Sequence, residues 1–349
     1  MDVMYSGRSE ALEVVWLPAD GAGIQRAAAA LRAGELVAFP TETVYGLGAD
    51  ATSAAAVAGV FRAKGRPLDN PLIVHVTDAA AAEALGVEWP PAAAVLAEHF
   101  WPGPLTVVVR AATAIRVPAS VRGGLDTVAV RCPDHSLARR LLAAAGVPVA
   151  APSANRSGRP SPTTADAVAE ALGEGRCGSA GVVWLLDGGP ARIGVESTVV
   201  DVSGPHPVLL RPGGLARGAI ERWVGPLHEP AAGGPARSPG MRYRHYAPER
   251  PLVLLALSTD QAVKRLRAWP AARTGLLAEH RVVQELQWPA VVDLGDTPDS
   301  AAAGLFAGLV RLDRWPGLDR LAAVWNNQEG VGWAVMNRLE RAAAEVVRS

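Results

Sequence analysis

Apolar positions recur with two periods along the chain, and together they predict helices alternating with short strands. Spacings of three and four residues predict helices through IQRAAAALRA, AAAVAGVFRAK and ADAVAEAL, near 78–85, 91–100 and 215–224, and from Asp134 to Gly146. Short buried runs predict strands at 35–39, 71–76, 105–110, 127–131 and 147–151, and in VVWLLD, STVVDV and PVLLRP. The uneven alternation favours a twisted mixed sheet with helices packed on it and loops lining a concave face.

The pattern breaks between 225 and 251, where Pro and Gly are dense and no apolar period persists. Beyond this break, PLVLLAL, TGLLA, VVDLG and LAAVW alternate with helical stretches near 259–269, 299–313 and 332–347. Regular alternation of this kind predicts a small, parallel, Rossmann-like sheet. We therefore expect an α/β protein with a larger domain at 12–225, a linker at 226–250 and a smaller domain at 251–349.

The composition narrows the class of protein without changing the fold prediction. Of 349 residues, 49% are hydrophobic and 19% charged, which is typical of a globular chain. The 34 basic and 34 acidic residues balance, which argues against non-specific coating of nucleic acid but allows a local basic cleft. Cys132 and Cys177 fit no metal or disulfide spacing, and no apolar stretch approaches the roughly 18 residues that a membrane span needs. Since the N-terminus lacks a signal pattern, we expect a cytoplasmic protein.

The chain is rich in Ala, Gly, Pro and Arg, so the positions of its few Lys, Asn and Tyr residues are informative. Many of these residues lie in a small number of loops. Lys64 and Lys264 are the only lysines, so 32 of the 34 basic residues are arginine. Lys64 and Asn70 lie in KGRPLDNPL, Asn155 lies in APSAN, and tyrosines lie in PTETVYG and MRYRHYAP. A lysine ammonium is a compact point charge that suits a phosphate oxygen. Clustering of these residues in loops punctuated by Gly and Pro favours a functional origin over chance.

Cations and hydroxyls dominate the candidate chemistry. Lys64 and Arg66 end a helix, where cations stabilise the dipole, but Pro67 stiffens the following loop into a clamp suited to a polyphosphate. Strand ends and loops add further candidates: Thr127, Arg131, Ser153, Ser161, Ser197 and Arg211. His75 lies within a strand, where a histidine is more often structural than catalytic. Glu42 and Glu196 are not spaced as an acid/base pair or a metal cluster.

Common catalytic signatures are missing from the sequence. There is no GxxxxGK[ST] loop, no HExxH, no GxSxG and no kinase signature set. YGLGADA, with Asp69 further on, is a weak match to a dinucleotide-binding fingerprint, because six residues separate the strand from the first glycine. With no evident nucleophile or general base, the residues suit a reaction whose nucleophile belongs to a substrate, as in phosphoryl and nucleotidyl transfer.

Taken in order, these motifs resemble the threonylcarbamoyl-AMP synthase family of YrdC-like proteins, in its long two-domain form. The matching stretches are FPTETVYGLG, KGRPLDNPLIVH, WPGPLTVV, TVAVRCP, APSANRSGRPSPT, ESTVVD, LLRPGG, SPGMRYRHYAP and AVMNRL. The resemblance implies that L-threonine captures bicarbonate or CO2 as a carbamate, which attacks the α-phosphate of ATP and expels pyrophosphate. A partner transferase would then move the threonylcarbamoyl group to an adenosine of certain tRNAs, and direct contact with tRNA is left open.

The resemblance also implies residue roles. Lys64 and Arg66 would be catalytic, and magnesium would accompany ATP, held mainly by phosphate oxygens and water because acidic ligands are scarce. ATP would be held by Lys64, Arg66, Asn70, Thr127, Ser153, Ser161, Arg211, Tyr243 and His245. The threonine pocket would comprise Thr43, His75, Arg131, Ala151 and Ser197, with Thr41 on the same loop as Thr43.

The linker at 226–250 contains a stretch that we expect to act as a lid. Residues 238–248 are expected to fold over the site mouth, with Tyr243 or His245 touching nucleotide, because long loops with aromatic content often act as lids.

Three alternatives stay open: an RNA-binding module with an Arg-lined concave face, an NAD(P)-linked enzyme using YGLGADA, and a related carbamoyl-adenylating enzyme with another acceptor.

Overall fold

A ten-stranded mixed sheet and a five-stranded parallel sheet organise the chain, as seen in a computed structural model that describes residues 10–173, 176–177, 181–230 and 245–348. The predicted α/β class, with a mixed sheet followed by a Rossmann-like parallel one, is confirmed. A further two-stranded ribbon pairs β1 (Glu10–Ala11) with β9 (Arg176–Cys177). No helix of the described residues is long and apolar enough to cross a membrane.

The large sheet has the order β12-β11-β6-β7-β5-β8-β4-β3-β10-β2. Its strands are β2 (Glu13–Leu17), β3 (Leu36–Phe39), β4 (Gly46–Asp50), β5 (Ile73–His75), β6 (Leu105–Arg110), β7 (Thr127–Arg131), β8 (Val149–Ala150), β10 (Val182–Leu186), β11 (Thr198–Asp201) and β12 (Val208–Arg211). Parallel and antiparallel pairs alternate irregularly, since β5 runs parallel to β7 but antiparallel to β8. Strands β5, β7 and β8 therefore bring 75, 131 and 151 to the middle of one sheet.

Seven helices of the described residues accompany this sheet. They are α1 (Gly21–Arg32), α2 (Ala54–Lys64), α3 (Ala79–Glu83), α4 (Pro91–Phe100), α5 (Ser136–Ala145), α6 (Ala165–Gly173) and α7 (Arg217–Val224). Asp20 and Ser53 cap α1 and α2 as the sequence predicts, each accepting a backbone N–H bond. The prediction that Asp134 opens α5 is wrong, because His135 is the N-cap residue and makes no side-chain bond there.

The small sheet has the order β15-β14-β16-β13-β17, and every pair is parallel. Its elements are β13 (Leu252–Ala256), α8 (Thr259–Leu266), a 3-10 turn at Ala271–Arg273, β14 (Thr274–Ala278), α9 (His280–Leu286), β15 (Val291–Asp293), α10 (Pro298–Asp313), β16 (Arg320–Val324), α11 (Gly332–Ala342) and β17 (Glu345–Arg348). The predicted helix at 332–347 is too long: α11 stops at Ala342, and the residues beyond it pair with β13 as an edge strand.

The YGLGADA segment is a strand, which removes the structural basis of the dinucleotide hypothesis. Residues 46–50 form β4, between β3 and β8, instead of a tight glycine turn leading into a helix. Without that turn, no helix N-terminus faces a pyrophosphate in the way the fingerprint requires.

Loops of the large-sheet domain pack against helix α10 of the small-sheet domain through an apolar contact. Val44 and Val195 from the large-sheet region share a buried cluster with Leu305 and Phe306 of α10. Gly194 has a φ of 82°, and a Cβ atom there would lie 2.3 Å from the carbonyl oxygen of Ala302. The close approach of α10 to this turn therefore requires glycine at 194.

Candidate active site

One cavity collects the loops that the sequence singled out. It lies where the loops after β3 and β8, the end of α2 and the segment entering the small sheet converge. Its lining residues are Thr41, Thr43, Val44, Gly46, Lys64, Arg66, Ile73, His75, Arg131, Ala151, Pro152, Ser153, Asn155, Ser157, Gly158, Ser161, Glu196, Ser197, Arg211, His245 and Tyr246. Four of these side chains are cationic and one is a carboxylate, so the cavity suits an anionic ligand.

Lys64 ties the end of α2 to the loop after β8. Gly65 closes the helix in the left-handed conformation, with a φ of 61°, and leaves Lys64 buried. Its ammonium donates to the backbone oxygens of Ser153 and Asn155. Burial, and then the charge of Arg66, lowers the pKa of Lys64 well below its ordinary value. An anion in the cavity would therefore raise the pKa of Lys64 and favour its charged form.

Arg66 is held by the loop that follows it. Its NH2 group donates to Asn70 Oδ1 at 2.6 Å and to the backbone oxygen of Pro71 at 2.8 Å. Burial lowers the pKa of Arg66 to about 9, so the guanidinium stays charged at neutral pH. Asn70 does not line the cavity, and its contact with the site runs through Arg66.

Arg211 and Ser197 join two neighbouring strand ends. Arg211 ends β12, and its NH2 group donates to the backbone oxygen of Ser197 at 3.0 Å and to its Oγ at 3.2 Å. Ser197 Oγ also lies 2.8 Å from Thr106 Oγ1 on β6. The serine hydroxyl is thereby fixed from two sides, beside a buried cation.

Arg131 and His75 form a second group of buried side chains in the cavity wall. Arg131 on β7 pairs with Glu42, and the two side chains expose only 5% and 1% of their surfaces. His75 lies opposite Arg131 in the parallel register of β5 and β7. Burial, and then Arg131, lowers the pKa of His75 to about 3, so the imidazole is neutral at physiological pH. Its Nδ1 atom is buried and has no hydrogen-bond partner among the described residues.

The loop with the sequence PTETV carries two hydroxyl groups, those of Thr41 and Thr43, on either side of Glu42 in the chain. Thr41 Oγ1 lies 2.8 Å from Thr43 Oγ1 and donates to the backbone oxygen of Val44 at 2.6 Å. Because Thr41 gives its proton to Val44, it accepts the proton of Thr43. Both hydroxyls are buried, and their hydrogen bonds fix the loop that carries Glu42.

Glu196 connects the two domains at the cavity wall. Its Oε1 accepts from Ser161 Oγ at 2.6 Å, and its Oε2 accepts from Arg338 Nε at 2.9 Å. Burial alone would raise the pKa of Glu196, but Arg338 and then Arg211 lower it below its usual range. The carboxylate is therefore ionised and shared between cations of both domains.

The end of the connecting segment closes one side of the cavity. His245 and Tyr246 are buried in its wall, and burial, followed by the charge of Arg66, lowers the pKa of His245 to about 4. His245 Nε2 lacks a hydrogen-bond partner within the described ranges. Tyr246 adopts a φ of 65° and places its ring 5.6 Å from the guanidinium carbon of Arg338. Tyr243, and the lid residues 238–244 as a whole, lie outside the described residues.

The structure brings together most of the residues that the sequence proposed. The exceptions within its described part are Asn70, placed behind Arg66, and Thr127, which is buried at the start of β7 opposite Arg110 and does not line the cavity. The proposed roles of individual residues in ATP or threonine binding stay predictions.

Sequence reasoning missed the acidic partners and the contribution of the second domain. Glu42 and Glu196 were seen only as carboxylates without a role, and Arg338 was not singled out although AVMNRL contains it. A signal existed for Arg338: it lies four residues after Ala334 and four before Ala342, on the buried face of α11. A cation on an apolar helix face needs a partner, which predicts a buried anion nearby.

Two family models match adjoining parts of the chain. Residues 29–213 match the model described as "Telomere recombination", and residues 216–344 match the model described as "Threonylcarbamoyl-AMP synthase, C-terminal domain". The threonylcarbamoyl-AMP synthase of Pyrococcus abyssi is 45% identical over 328 residues, covering 92% of this chain and 94% of the relative. That of Bacillus subtilis is 44% identical over 328 residues, with 92% of each chain covered.

A solved structure agrees over nearly the full length. The crystal structure of "P. abyssi Sua5 complexed with L-threonine" superimposes with a TM-score of 0.87 at 41% identity, covering 96% of this chain and 99% of that one. The likeness thus extends across both sheets.

Proposed function

The chain belongs to the threonylcarbamoyl-AMP synthase family, and from this premise we infer that it is a nucleotidyl-transferring enzyme. The reaction joins L-threonine, bicarbonate or CO2, and ATP into threonylcarbamoyl-AMP and pyrophosphate. The threonine amine first forms a bond to the carbon species and becomes a carbamate, releasing water when that species is bicarbonate and a proton when it is CO2. A carbamate oxygen then forms a bond to the α-phosphorus of ATP, while the bond from that phosphorus to the β-phosphate bridging oxygen breaks.

One observation supports this assignment above the others: two groups of side chains with different character line the same cavity, and we call these groups its two ends. Lys64, Arg66 and Arg211 provide three cations at one end, where a triphosphate needs its charge offset. At the other end, Arg131 is already neutralised by Glu42 beside a neutral His75, which suits a small amino acid. Two substrates held by these two groups share one cavity, where they can react with each other.

We assign the threonine end by the chemistry of its side chains. The Arg131 guanidinium presents a planar set of donors that fits the substrate carboxylate. Ser197 and Thr43 offer fixed hydroxyls, and Ala151 leaves room for the substrate methyl group. A neutral His75 adds no second positive charge beside Arg131 and keeps one nitrogen that can accept a hydrogen bond from the substrate amine.

The ATP end is assigned in the same way. Lys64 and Arg66 are the proposed catalytic cations, because they would offset the charge that develops on the leaving pyrophosphate. We propose that Ser153, Ser161, Arg211 and His245 contact the nucleotide, that Asn70 acts by orienting Arg66, and that Thr127 and Tyr243 lie on the nucleotide side. Magnesium would enter with ATP as part of the substrate. Glu42 and Glu196 pair with arginines, and the described residues contain no metal-binding cluster, so phosphate oxygens and water are its proposed ligands.

The wider setting of the enzyme is also a proposal. The product is a mixed anhydride of a carbamate and a phosphate, and we propose that tRNA threonylcarbamoyl-transferase proteins take it from this enzyme. The free, buried thiol of Cys132 agrees with a reducing compartment, and we propose the cytoplasm. Direct binding of tRNA has no specific support in the geometry of the cavity.

The decisive experiment follows pyrophosphate release from ATP and magnesium, with L-threonine and bicarbonate supplied together, singly or not at all. Release that requires both is the expected result. Release that requires bicarbonate but ignores threonine would indicate a related enzyme with another acceptor. No release under any condition, together with salt-sensitive binding of RNA, would favour a binding module instead.

A further inference from the structure

Arg338 of the small-sheet domain reaches the wall of the cavity. It lies on α11, and its side chain is completely buried. Its Nε donates to Glu196 Oε2 at 2.9 Å, and its NH1 donates to the backbone oxygen of Pro212 at 2.5 Å. One guanidinium from the second domain thus holds two loops of the first.

Both loops carry residues of the proposed site. Glu196 precedes Ser197 and also accepts the hydroxyl proton of Ser161. Pro212 follows Arg211, whose guanidinium bonds to Ser197. The contacts of Arg338 therefore lie one residue from the proposed threonine pocket on one side and one residue from a proposed phosphate cation on the other.

The contact between Arg338 and Glu196 also affects the electrostatics of the cavity. Arg338 and Arg211 are the two cations that lower the pKa of Glu196, with Arg338 the stronger influence. If Arg338 were absent, Arg211 would be the remaining arginine that lowers the pKa of this buried carboxylate, and Lys64 would also still interact with it. An ion pair between Glu196 and Arg211 would then compete with the phosphates of ATP.

Resting on the proposed function, we propose that Arg338 is a positioning residue of the reaction. By engaging Glu196, it limits the competition of that carboxylate with ATP for the Arg211 guanidinium, so the second domain completes the charge balance of the ATP end. Arg338 itself touches no reacting atom in this arrangement. Its effect is exerted on ATP through Arg211, and only weakly on threonine.

The test uses the full-length protein and three variants. Arg338→Met removes the cation while keeping much of the side-chain volume. Arg338→Met/Glu196→Gln removes both charges, and the amide oxygen introduced by the second substitution can still accept the Ser161 proton. Arg348→Met is the matched control, because it breaks an exposed pair between Arg348 and Glu340 of α11, and neither residue lines the cavity. Thermal unfolding of each variant reports whether it is folded.

Arg338→Met is expected to raise the KM for ATP about tenfold or more, the equivalent of losing one charge-assisted contact, with less than about a threefold change in the KM for threonine. The double variant is expected to recover most of the lost ATP affinity, since no carboxylate then competes for Arg211. Arg348→Met is expected to match the wild type. Titration with a non-hydrolysable ATP analogue and magnesium measures the same affinity independently of turnover.

Two results would overturn the inference. Wild-type kinetics in Arg338→Met would show that Arg211 does not depend on it. Equal losses for ATP and threonine, unrelieved in the double variant, would show that Arg338 only holds the domains together. Failure of the proposed function is a separate result, since the wild-type enzyme itself would then release no pyrophosphate. If the wild type binds the analogue nonetheless, the affinity ratios among the variants still decide the role of Arg338.

Discussion

Glu42 forms a buried ion pair with Arg131 of the cavity wall, with 2.7 Å between Oε1 and NH2, although the two residues come from elements that are not neighbours in the sheet. Arg131 is also held by the backbone oxygen of Gly103, which accepts from its Nε at 3.3 Å. The guanidinium is consequently fixed before any ligand arrives. Preorganisation of this kind lowers the entropic cost of binding a carboxylate.

Removing only the cation of this pair should damage folding as well as binding. In Arg131→Met, Glu42 is left as a buried, uncompensated charge, and we expect the free energy of unfolding to fall by about 3–5 kcal/mol. Arg131→Met/Glu42→Gln should regain most of that stability in urea unfolding. It should still bind L-threonine at least about tenfold more weakly by calorimetry, because the charged contact is lost. Wild-type threonine affinity in the double variant would show that Arg131 is a structural residue only.

Lys64 should take up a proton when ATP binds. Its pKa is lowered in the free protein by burial and by Arg66, and a triphosphate placed beside it will raise that pKa again. At pH 8, ATP is already deprotonated, since the second phosphate pKa is about 6. Calorimetry of ATP binding at pH 8 in buffers of different ionisation enthalpy should therefore show net proton uptake.

The chain offers a matched control for this measurement, because it has only one other lysine. Lys64→Met is expected to abolish most of the proton uptake and to weaken ATP binding. Lys264→Met removes an exposed lysine on α8, far along the chain in the second domain, and should leave both quantities unchanged. Equal proton uptake in wild type and Lys64→Met would rule out Lys64 as its source.

The fold was predictable where local pattern and tertiary packing agree. Capped amphipathic helices such as α1 and α2 carry their signals in the sequence. Strand β4 does not, because GLGAD has the composition of a turn and becomes a strand only between β3 and β8. The stretch 345–348 follows a helix rich in Ala and Arg, and its pairing with β13 overrides that helical propensity.

The candidate site was predictable in residue type but not in pairing. Cations and hydroxyls in loops rich in Gly and Pro predicted a site for a polyphosphate. The structure places two of those cations, Lys64 and Arg66, in the lining of the cavity. The sequence did not predict which residues pair with the buried charges. Glu196 and Arg338, for example, lie 142 residues apart in the chain and come into contact only because the two domains pack together. Such contacts depend on the relative placement of two sheets, which no local pattern specifies.

His75 should make the protein less stable in mild acid. The unfolded chain binds a proton at His75 below its ordinary pKa of 6.5, whereas the folded chain does so only below about 3. Between these values the unfolded state holds more protons, so the free energy of unfolding falls as pH falls. From pH 7.5 to pH 5 the loss from this residue is about 2 kcal/mol, at about 1.4 kcal/mol per pH unit. In His75→Gln, urea unfolding should show a correspondingly smaller loss, and an unchanged pH dependence would contradict a buried neutral imidazole.

Gly213 sets the distance between the Arg211 loop and the Ser197 segment. A Cβ atom at 213 would lie 2.2 Å from the carbonyl carbon of Ser197 and from the backbone nitrogen of Thr198, so these backbones must separate in Gly213→Ala. We expect a loss of about 3 kcal/mol in unfolding free energy, at the upper end of the usual cost of overpacking. Because Arg211 bonds directly to Ser197, the separation should also raise the KM values of both ATP and threonine.

Gly218 provides the control for this substitution in the helix that follows. It lies near the start of α7, exposed, with no atom within 4 Å of an added Cβ. Gly218→Ala should leave the kinetics unchanged and stabilise the protein by about 0.5–1 kcal/mol, because alanine loses less backbone entropy in a helix. Chemical unfolding and steady-state kinetics of the two variants therefore separate close packing at the site from the general effect of replacing glycine. Wild-type kinetics in a folded Gly213→Ala would mean that the contact between these two loops does not control substrate binding.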